Sequence, residues 1–418
     1  VSDLENRLAN LDLASEGEKS YQWASEHMPT LTRTVKKLAE QKPLKGRSVA
    51  VCLHVTKETS VLVLGLKTLG ADVYLAAANP LSTQDEIAAY LASEGVHVFA
   101  WRGENAEEYQ ECIRSVLRSR PDIVMDDGSD MHVTVHEEPE FDNLQIIGGT
   151  EETTTGIIRL KALENSGKMR YPIIGVNNAF TKYLFDNRYG TGQSTIDGIL
   201  RATSLLIAGK KVVVCGYGWV GRGIAMRAHG MGGLVSVTEA DPFRALEARM
   251  DGYEVMPIAE AAKVGDIFVT ATGQYHIIRG EHFPTMKDGA ILANAGHFNV
   301  EIDVEALEKA KVQKTKVRRN LDEYLLEDGR KIYLVGEGRI ANLVAAEGHP
   351  PEVMSLSFSN QLLSAVYITR HENKMEKRVN NVPTEIDRQV AVTALEAMGI
   401  KIDTLTEEQN KYASSWVV

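Results

Sequence analysis

Apolar residues in this chain gather in short runs, separated by longer stretches in which they recur every third or fourth position. Val49–Leu53, Ala71–Ala76, Val96–Ala100 and Ile123–Met125 are such runs and predict buried strands. Between them Thr59–Leu69, Asp85–Ser93 and Ala106–Ser119 carry a helical period. Strands alternating with helices imply a parallel, doubly wound sheet, which Ile173–Val176 would extend. The pattern then begins again. Val212–Cys215, Leu234–Thr238, Ile267–Ala271 and Ala290–Asn294 predict strands, and Val220–Arg227 a helix. Beyond Ile340, Glu352–Tyr367 and Glu385–Met398 predict helices that pack back on the first unit. The last stretch, Lys401–Val418, is polar until Trp416-Val417-Val418, which reads as a tail that docks elsewhere.

Chemistry enters where the second series of strands begins. Gly216-Tyr217-Gly218-Trp219-Val220-Gly221 follows one predicted strand and opens a helix. In such a turn the first glycine permits the tight bend and the second lets the backbone approach a pyrophosphate. The third lets helix pack on strand. The next strand ends at Glu239, whose carboxylate can accept from both ribose hydroxyls and repels a 2′-phosphate. NAD is therefore favoured over NADP. The fold class is α/β, with two doubly wound parallel-sheet domains and a C-terminal tail. Residues 1–186 form the first part of a substrate-binding domain and 187–341 a Rossmann NAD domain. Residues 342–398 return to the substrate domain, and 399–418 are a tail for oligomer contacts. The first sheet carries no glycine fingerprint of its own and is expected not to bind the dinucleotide.

Charge and cysteines narrow the class. A net charge of -11 argues against a nucleic-acid surface, which needs clustered cations. Cys52, Cys112 and Cys215 are scattered and in no metal-ligand spacing, which suits a reducing compartment. No apolar run reaches the ~18 residues of a membrane span. Val1–Glu18 is polar and acidic, unlike a signal peptide.

Seven further segments then occur in a specific order. They are Leu53–Thr59 (LHVTKET), Asn79–Asp85 (NPLSTQD), Asp126–Asp130 (DDGSD), Glu151–Gly156 (EETTTG), Thr181–Gly190 (TKYLFDNRYG), Gly296–Ile302 (GHFNVEI) and Gly348–Pro350 (GHP). With the dinucleotide turn between the fifth and sixth, the chain resembles the S-adenosylhomocysteine hydrolase family from about Trp23 to Trp416, its shorter archaeal-type members above all. The resemblance implies a cytoplasmic homotetramer. It would split S-adenosylhomocysteine reversibly into adenosine and homocysteine with tightly held NAD, by oxidation at C3′, elimination, addition of water and re-reduction.

The same resemblance assigns residues. Lys182 matches a lysine at the 3′-hydroxyl, which acts as a base only if its pKa is pulled down, by burial and a positive nicotinamide ring. Its plainer reading is an i,i+4 ion pair with Asp186. Asp186 and Glu152 match carboxylates on the ribose hydroxyls, and Asp127 an aspartate near C4′. His54 and His297 match histidines that exchange protons with sulfur and water. Thr153, Thr154, Thr155, Asn187, Gly216, Gly218, Trp219, Val220, Gly221, Glu239, Arg244, Thr272, Ala295, Gly296, His297, Asn342 and His349 match cofactor contacts. Thr153–Thr155 also read as an ordinary helix N-terminus.

Thr56, Glu58, Thr59, Met354 and His349 match substrate contacts. Relatives that prefer the inosyl analogue carry Glu and Lys where this chain has Thr56 and Glu58. A carboxylate at Glu58 accepts from the adenine amine, so the adenosyl substrate is expected, with Lys57 pointing elsewhere. The alternatives are an S-inosylhomocysteine hydrolase and an NAD-dependent dehydrogenase of a small hydroxy acid. The chain departs from the family at Thr191 (a cysteine there), Trp219 (Asp in most bacterial and eukaryotic members), Glu347 (a methionine beside adenine) and Arg244 (an asparagine). The family's Lys- and Tyr-containing tail motif is absent. Lys411 or Tyr412 is a candidate substitute, and NAD is expected to exchange more readily.

Overall fold

A computed structural model describes residues 6–416. Six strands come first: β1 (Ser48–Leu53), β2 (Asp72–Ala77), β3 (His97–Phe99), β4 (Ile123–Asp126), β5 (Gly148–Glu151) and β6 (Ile173–Gly175). Eight follow: β7 (Lys211–Cys215), β8 (Leu234–Thr238), β9 (Glu254–Val255), β10 (Ile267–Thr270), β11 (Ala290–Asn294), β12 (Lys311–Arg318), β13 (Leu321–Leu326) and β14 (Lys331–Val335). The last is β15 (Val379–Asn381). They make two sheets, ordered β15-β6-β5-β4-β1-β2-β3 and β12-β13-β14-β11-β10-β7-β8-β9. The first is parallel throughout, and the second is parallel except at β12 and β13.

The apolar runs have a physical cause. From Val49 to Leu53 every residue of β1 is buried, because helices cover both faces and no alternation survives. The helix Pro351–Arg370 completes that cover. Its Leu356, Phe358 and Leu362 pack with Leu31, Val49 and Leu53, and Ile386 and Val390 of the helix Thr384–Ala397 join the same core. Cys52, Cys112 and Cys215 are all buried.

Two parts differ from expectation. The hairpin β12–β13 was hidden because β12 is exposed at nearly every position and so carries no period. The tail forms a helix, Glu407–Ser414, that buries nothing on its own chain, and Trp416 is 94% exposed. Val417 and Val418 of the expected docking segment lie outside the described residues. No helix among the described residues is long and apolar enough to cross a membrane.

The loops after the carboxyl ends of both sheets face one another. Gly128, after β4, lies so close to His297, after β11, that a Cβ there would sit 2.2 Å from the imidazole Nε2. One path between the sheets runs through a π-helix, Tyr183–Gly190, into the helix Thr191–Thr203. Two glycines let the helix Trp219–Gly230 press against that path: a Cβ at Gly223 would lie 1.8 Å from Arg188 O, and one at Gly192 2.5 Å from the carbonyl carbon of Gly223.

Candidate active site

The facing loops enclose a cavity that His54, Thr56, Glu58, Thr59, Asp127, Glu152 and Met354 line from the first sheet's side. Thr153, Thr154 and Thr155, at the start of the helix Thr154–Asn165, also line it, as do Lys182, Asp186 and Asn187 on the connecting path. From the second sheet come Gly218, Trp219, Val220, Arg244, Thr272, Ala295, Gly296 and His297, and Asn342 and His349 close it. An adjoining cavity holds Gly216 and Glu239, sharing Gly218, Arg244 and Thr272 with the first. Gly221 lines neither cavity; a Cβ there would lie 1.9 Å from Gly216 O, so only glycine lets helix pack on strand at this point.

At the centre stands Lys182, 3% exposed. Its Nζ lies 2.8 Å from Asp186, 3.6 Å from Glu152 and 2.7 Å from Asn187 Oδ1. The ion pair with Asp186 exists but is buried. Burial alone would lower the lysine's pKa, yet Asp186 and Glu152 outweigh it and hold the pKa above its ordinary value. The expected downward shift is therefore absent from the chain by itself. Burial likewise disfavours the Asp186 carboxylate, but His349 and Lys182 keep it ionised, well below the usual range. Glu152 accepts hydrogen bonds from Ser357 Oγ and Gln361 Nε2, and burial raises its pKa.

Asp127 sits between two histidines, with His54 Nε2 at 3.6 Å and His297 Nδ1 at 3.7 Å. Burial, reinforced by Glu151 and Glu152, pushes its carboxyl well up. Burial pushes both imidazoles the other way, His54 well below its ordinary value and His297 to about 4. Burial thus disfavours charge on all three groups. Ser82 Oγ donates to Asn79 O at 3.0 Å, so His54 Nδ1–H is the donor to Ser82 at 2.8 Å. That tautomer leaves Nε2 free to accept a proton.

The residues fit a dinucleotide. Gly216 has φ +98°, and a Cβ at Gly218 would meet only Arg244 Nη1, at 3.9 Å, so the turn opens onto the cavities. The helix Trp219–Gly230 starts there with no side-chain cap, leaving N–H donors for a phosphate. Glu239 is held by the amides of Tyr217, Ala240 and Asp241 at 2.7, 2.7 and 3.0 Å, with lone pairs left over. Asn342 is fully buried and donates to His349 at 2.9 Å, while its Oδ1 accepts no hydrogen bond among the described residues, an opening for a carboxamide N–H.

Sequence reasoning missed Asn177, which lines the cavity and accepts from Asn187 Nδ2 at 3.0 Å. Its signal was its place just after β6. Lys57, expected to point elsewhere than the base, does not line the cavity, although its Nζ lies 3.2 Å from Glu58 Oε1.

Fold and site together define a dinucleotide-dependent enzyme whose carboxylate-rich main cavity suits a polyol such as ribose. The S-adenosyl-L-homocysteine hydrolase family model matches residues 5–147, and the model of that family's NAD binding domain matches 187–348. The chain is similar to adenosylhomocysteinase of Saccharolobus solfataricus, 59% identical over 411 residues, covering 98% of each chain. It is as similar to that of Aeropyrum pernix, 59% identical over 410 residues, covering 98% of this chain and 99% of the relative. That of Aquifex aeolicus is 57% identical over 414 residues, covering 99% of each. The chain belongs to the S-adenosyl-L-homocysteine hydrolase family, and its cofactor is NAD.

Proposed function

We propose that this chain hydrolyses S-adenosyl-L-homocysteine reversibly to adenosine and L-homocysteine, through the six residues His54, Asp127, Glu152, Lys182, Asp186 and His297. The observation that carries this is their convergence in one cavity that also opens onto the dinucleotide turn. Thr153–Thr155, Asn187, Gly218–Val220, Glu239, Arg244, Thr272, Ala295, Gly296, Asn342 and His349 would hold the cofactor. Bound NAD supplies reversible oxidation at the ribose C3′, which acidifies the neighbouring C4′–H.

The chain's own residues do the rest. Asp186 and Glu152 hold the ribose hydroxyls, and Lys182 handles the 3′-hydroxyl proton. The carboxylates that keep Lys182 charged also favour a positive ligand ring, whose arrival pulls the lysine's pKa down. As a carboxylate, Asp127 takes the C4′ proton and passes it to His54 Nε2. The C–H electron pair becomes a C4′=C5′ double bond, and the C5′–S bond breaks with its pair on sulfur. His54 or His297 protonates that sulfur. Water then adds across the same double bond, and the protons retrace their path. General acid–base transfer of this kind is worth about 10²–10⁴-fold.

Glu58 supports adenine as the base. Residues 1–186 with 342–398 act as the substrate unit and 187–341 as the NAD unit. The tail and the exposed stripe Phe243, Leu246 and Met250 support assembly into a homotetramer, and the family resemblance supports a place in the cytoplasm. The test is homocysteine release from the adenosyl substrate beside the inosyl one, with nicotinamide absorbance recorded. Thiol release without net NADH is expected. Lys182→Ala is expected to lose about 10³-fold in kcat or more while retaining NAD. Net NADH would instead favour a dehydrogenase, and an unimpaired Lys182→Ala would remove the lysine from the chemistry.

A further inference from the structure

Glu58 is 1% exposed, and its Oε1 accepts no aligned hydrogen bond among the described residues. Such a carboxylate is unstable alone in a buried pocket. The nearest cation is Lys57, with Nζ 3.2 Å from Oε1 but out of line for a hydrogen bond, and Glu58 itself lines the cavity. Lys57 is largely buried too, with its side chain 14% exposed. Its ammonium donates to Glu347 Oε2 at 3.2 Å, and Glu347 Oε1 accepts from Arg201 Nη1 at 3.2 Å. Glu347 and Arg201 are both more than half exposed on their side chains, so solvent screens that outer link.

Resting on the function proposed above, we infer that Lys57 is a positioning residue for base selection: it keeps Glu58 an ionised acceptor and so makes the pocket prefer a 6-aminopurine to a 6-oxopurine. The chemistry follows from donor and acceptor matching. An ionised carboxylate accepts from an exocyclic amine but faces a 6-oxo group with lone pair against lone pair. With the ammonium gone, the buried carboxyl takes up a proton, becomes a donor, and pairs with the 6-oxo group instead. Lys57 touches neither purine nor ribose in this account and acts only through Glu58.

The experiment compares kcat and KM of the NAD-loaded enzyme on adenosyl and inosyl substrates. Lys57→Met is expected to lower the adenosyl-over-inosyl preference at least ten-fold, mostly through KM, with kcat on the adenosyl substrate within three-fold of the unaltered chain. Lys57→Arg is expected to restore the preference to within three-fold. Arg201→Ala, which removes only the outermost link, is expected to keep it within three-fold. A Lys57→Met preference within two-fold of the unaltered chain overturns the inference, as does an Arg201→Ala enzyme that reproduces the loss. Lys57→Gln carries the same test should the methionine variant not fold. Absence of thiol release by the unaltered chain from either substrate would sink the hydrolase reading itself, a result distinct from an active enzyme whose preference ignores Lys57.

Discussion

Single side chains here are governed by how many partners burial leaves them. Lys182 has several and stays charged; Glu104 shows the opposite case. It is 5% exposed, accepts from Trp101 N at 3.0 Å through one oxygen, and its Oε2 has no hydrogen-bond partner among the described residues. Burial, with Glu108 and Asp85 nearby, raises its pKa from 4.5 to about 7. A carboxyl whose folded pKa is raised binds its proton more tightly when folded. Its contribution to stability is intact below the unfolded value near 4.5 and is lost as pH rises through about 7. At about 1.4 kcal/mol per unit, the charged form costs roughly 3 kcal/mol at pH 8. Glu104→Gln is expected to recover about 2 of these, since its amide NH₂ remains poorly paired. Denaturant titrations of both proteins should show the gain at pH 8 and no gain near pH 4. An equal difference at both would mean that Glu104 is not the titrating group.

Between elements, two buried glutamates do matching jobs. Glu151 accepts from Gly128 N, Thr153 N and Thr153 Oγ1 at 2.9, 2.8 and 2.8 Å, and from Ser129 Oγ at 2.7 Å. It thereby ties the loop of Asp127 to the helix start of Thr153. Glu301 accepts from Gly273 N, Thr272 N and Thr272 Oγ1 at 2.8, 2.9 and 2.6 Å. It ties the loop after β10 to the loop of Gly296 and His297. Glu301→Gln puts an amide donor against these donors, so at least one is orphaned, at a cost of about 2 kcal/mol. We expect a lower melting temperature and an NAD dissociation constant about ten-fold higher, with saturating NAD narrowing the gap. NAD affinity unchanged by the variant would mean that Glu301 supports the fold and not the cofactor loops. Neither glutamate drew notice in the sequence, although both stand inside motifs, because their bonds go to loop amides and hydroxyls that no residue spacing marks. The paired strand–helix pattern and the residues that line the cavity were legible, since strands buried on both faces read as apolar runs and their carboxyl ends carry the ligand loops. What stayed hidden depends on tertiary approach. Lys57 turned toward Glu58, Asn177 joined Asn187 and Lys182, and β12 kept no buried face to mark its period.

At the scale of the molecule, the two sheets meet through the cavity and the connecting path, whereas the helix Glu407–Ser414 near the end of the chain has no buried residue. Ile402, Leu405, Tyr412 and Trp416 are 68%, 59%, 66% and 94% exposed. The helix Glu407–Ser414 nevertheless has a full capping box, with Thr406 and Gln409 each bonding the other's backbone. An isolated helix of this length is marginal in water, so a cap without a packing face makes sense only if a surface beyond this chain covers it. In the proposed homotetramer that surface is a second copy. Removing residues 400–418 is therefore expected to leave the circular dichroism and the Gly216–Gly221 turn intact while lowering the mass measured by light scattering below that of the full chain. NAD should also leave the truncated protein faster, because a shifted assembly loosens the closure of the two sheets on the cofactor. A truncated protein with the same mass and the same NAD exchange rate as the full chain would mean that the tail takes no part in assembly, leaving Phe243, Leu246 and Met250 as the place to look for the contact.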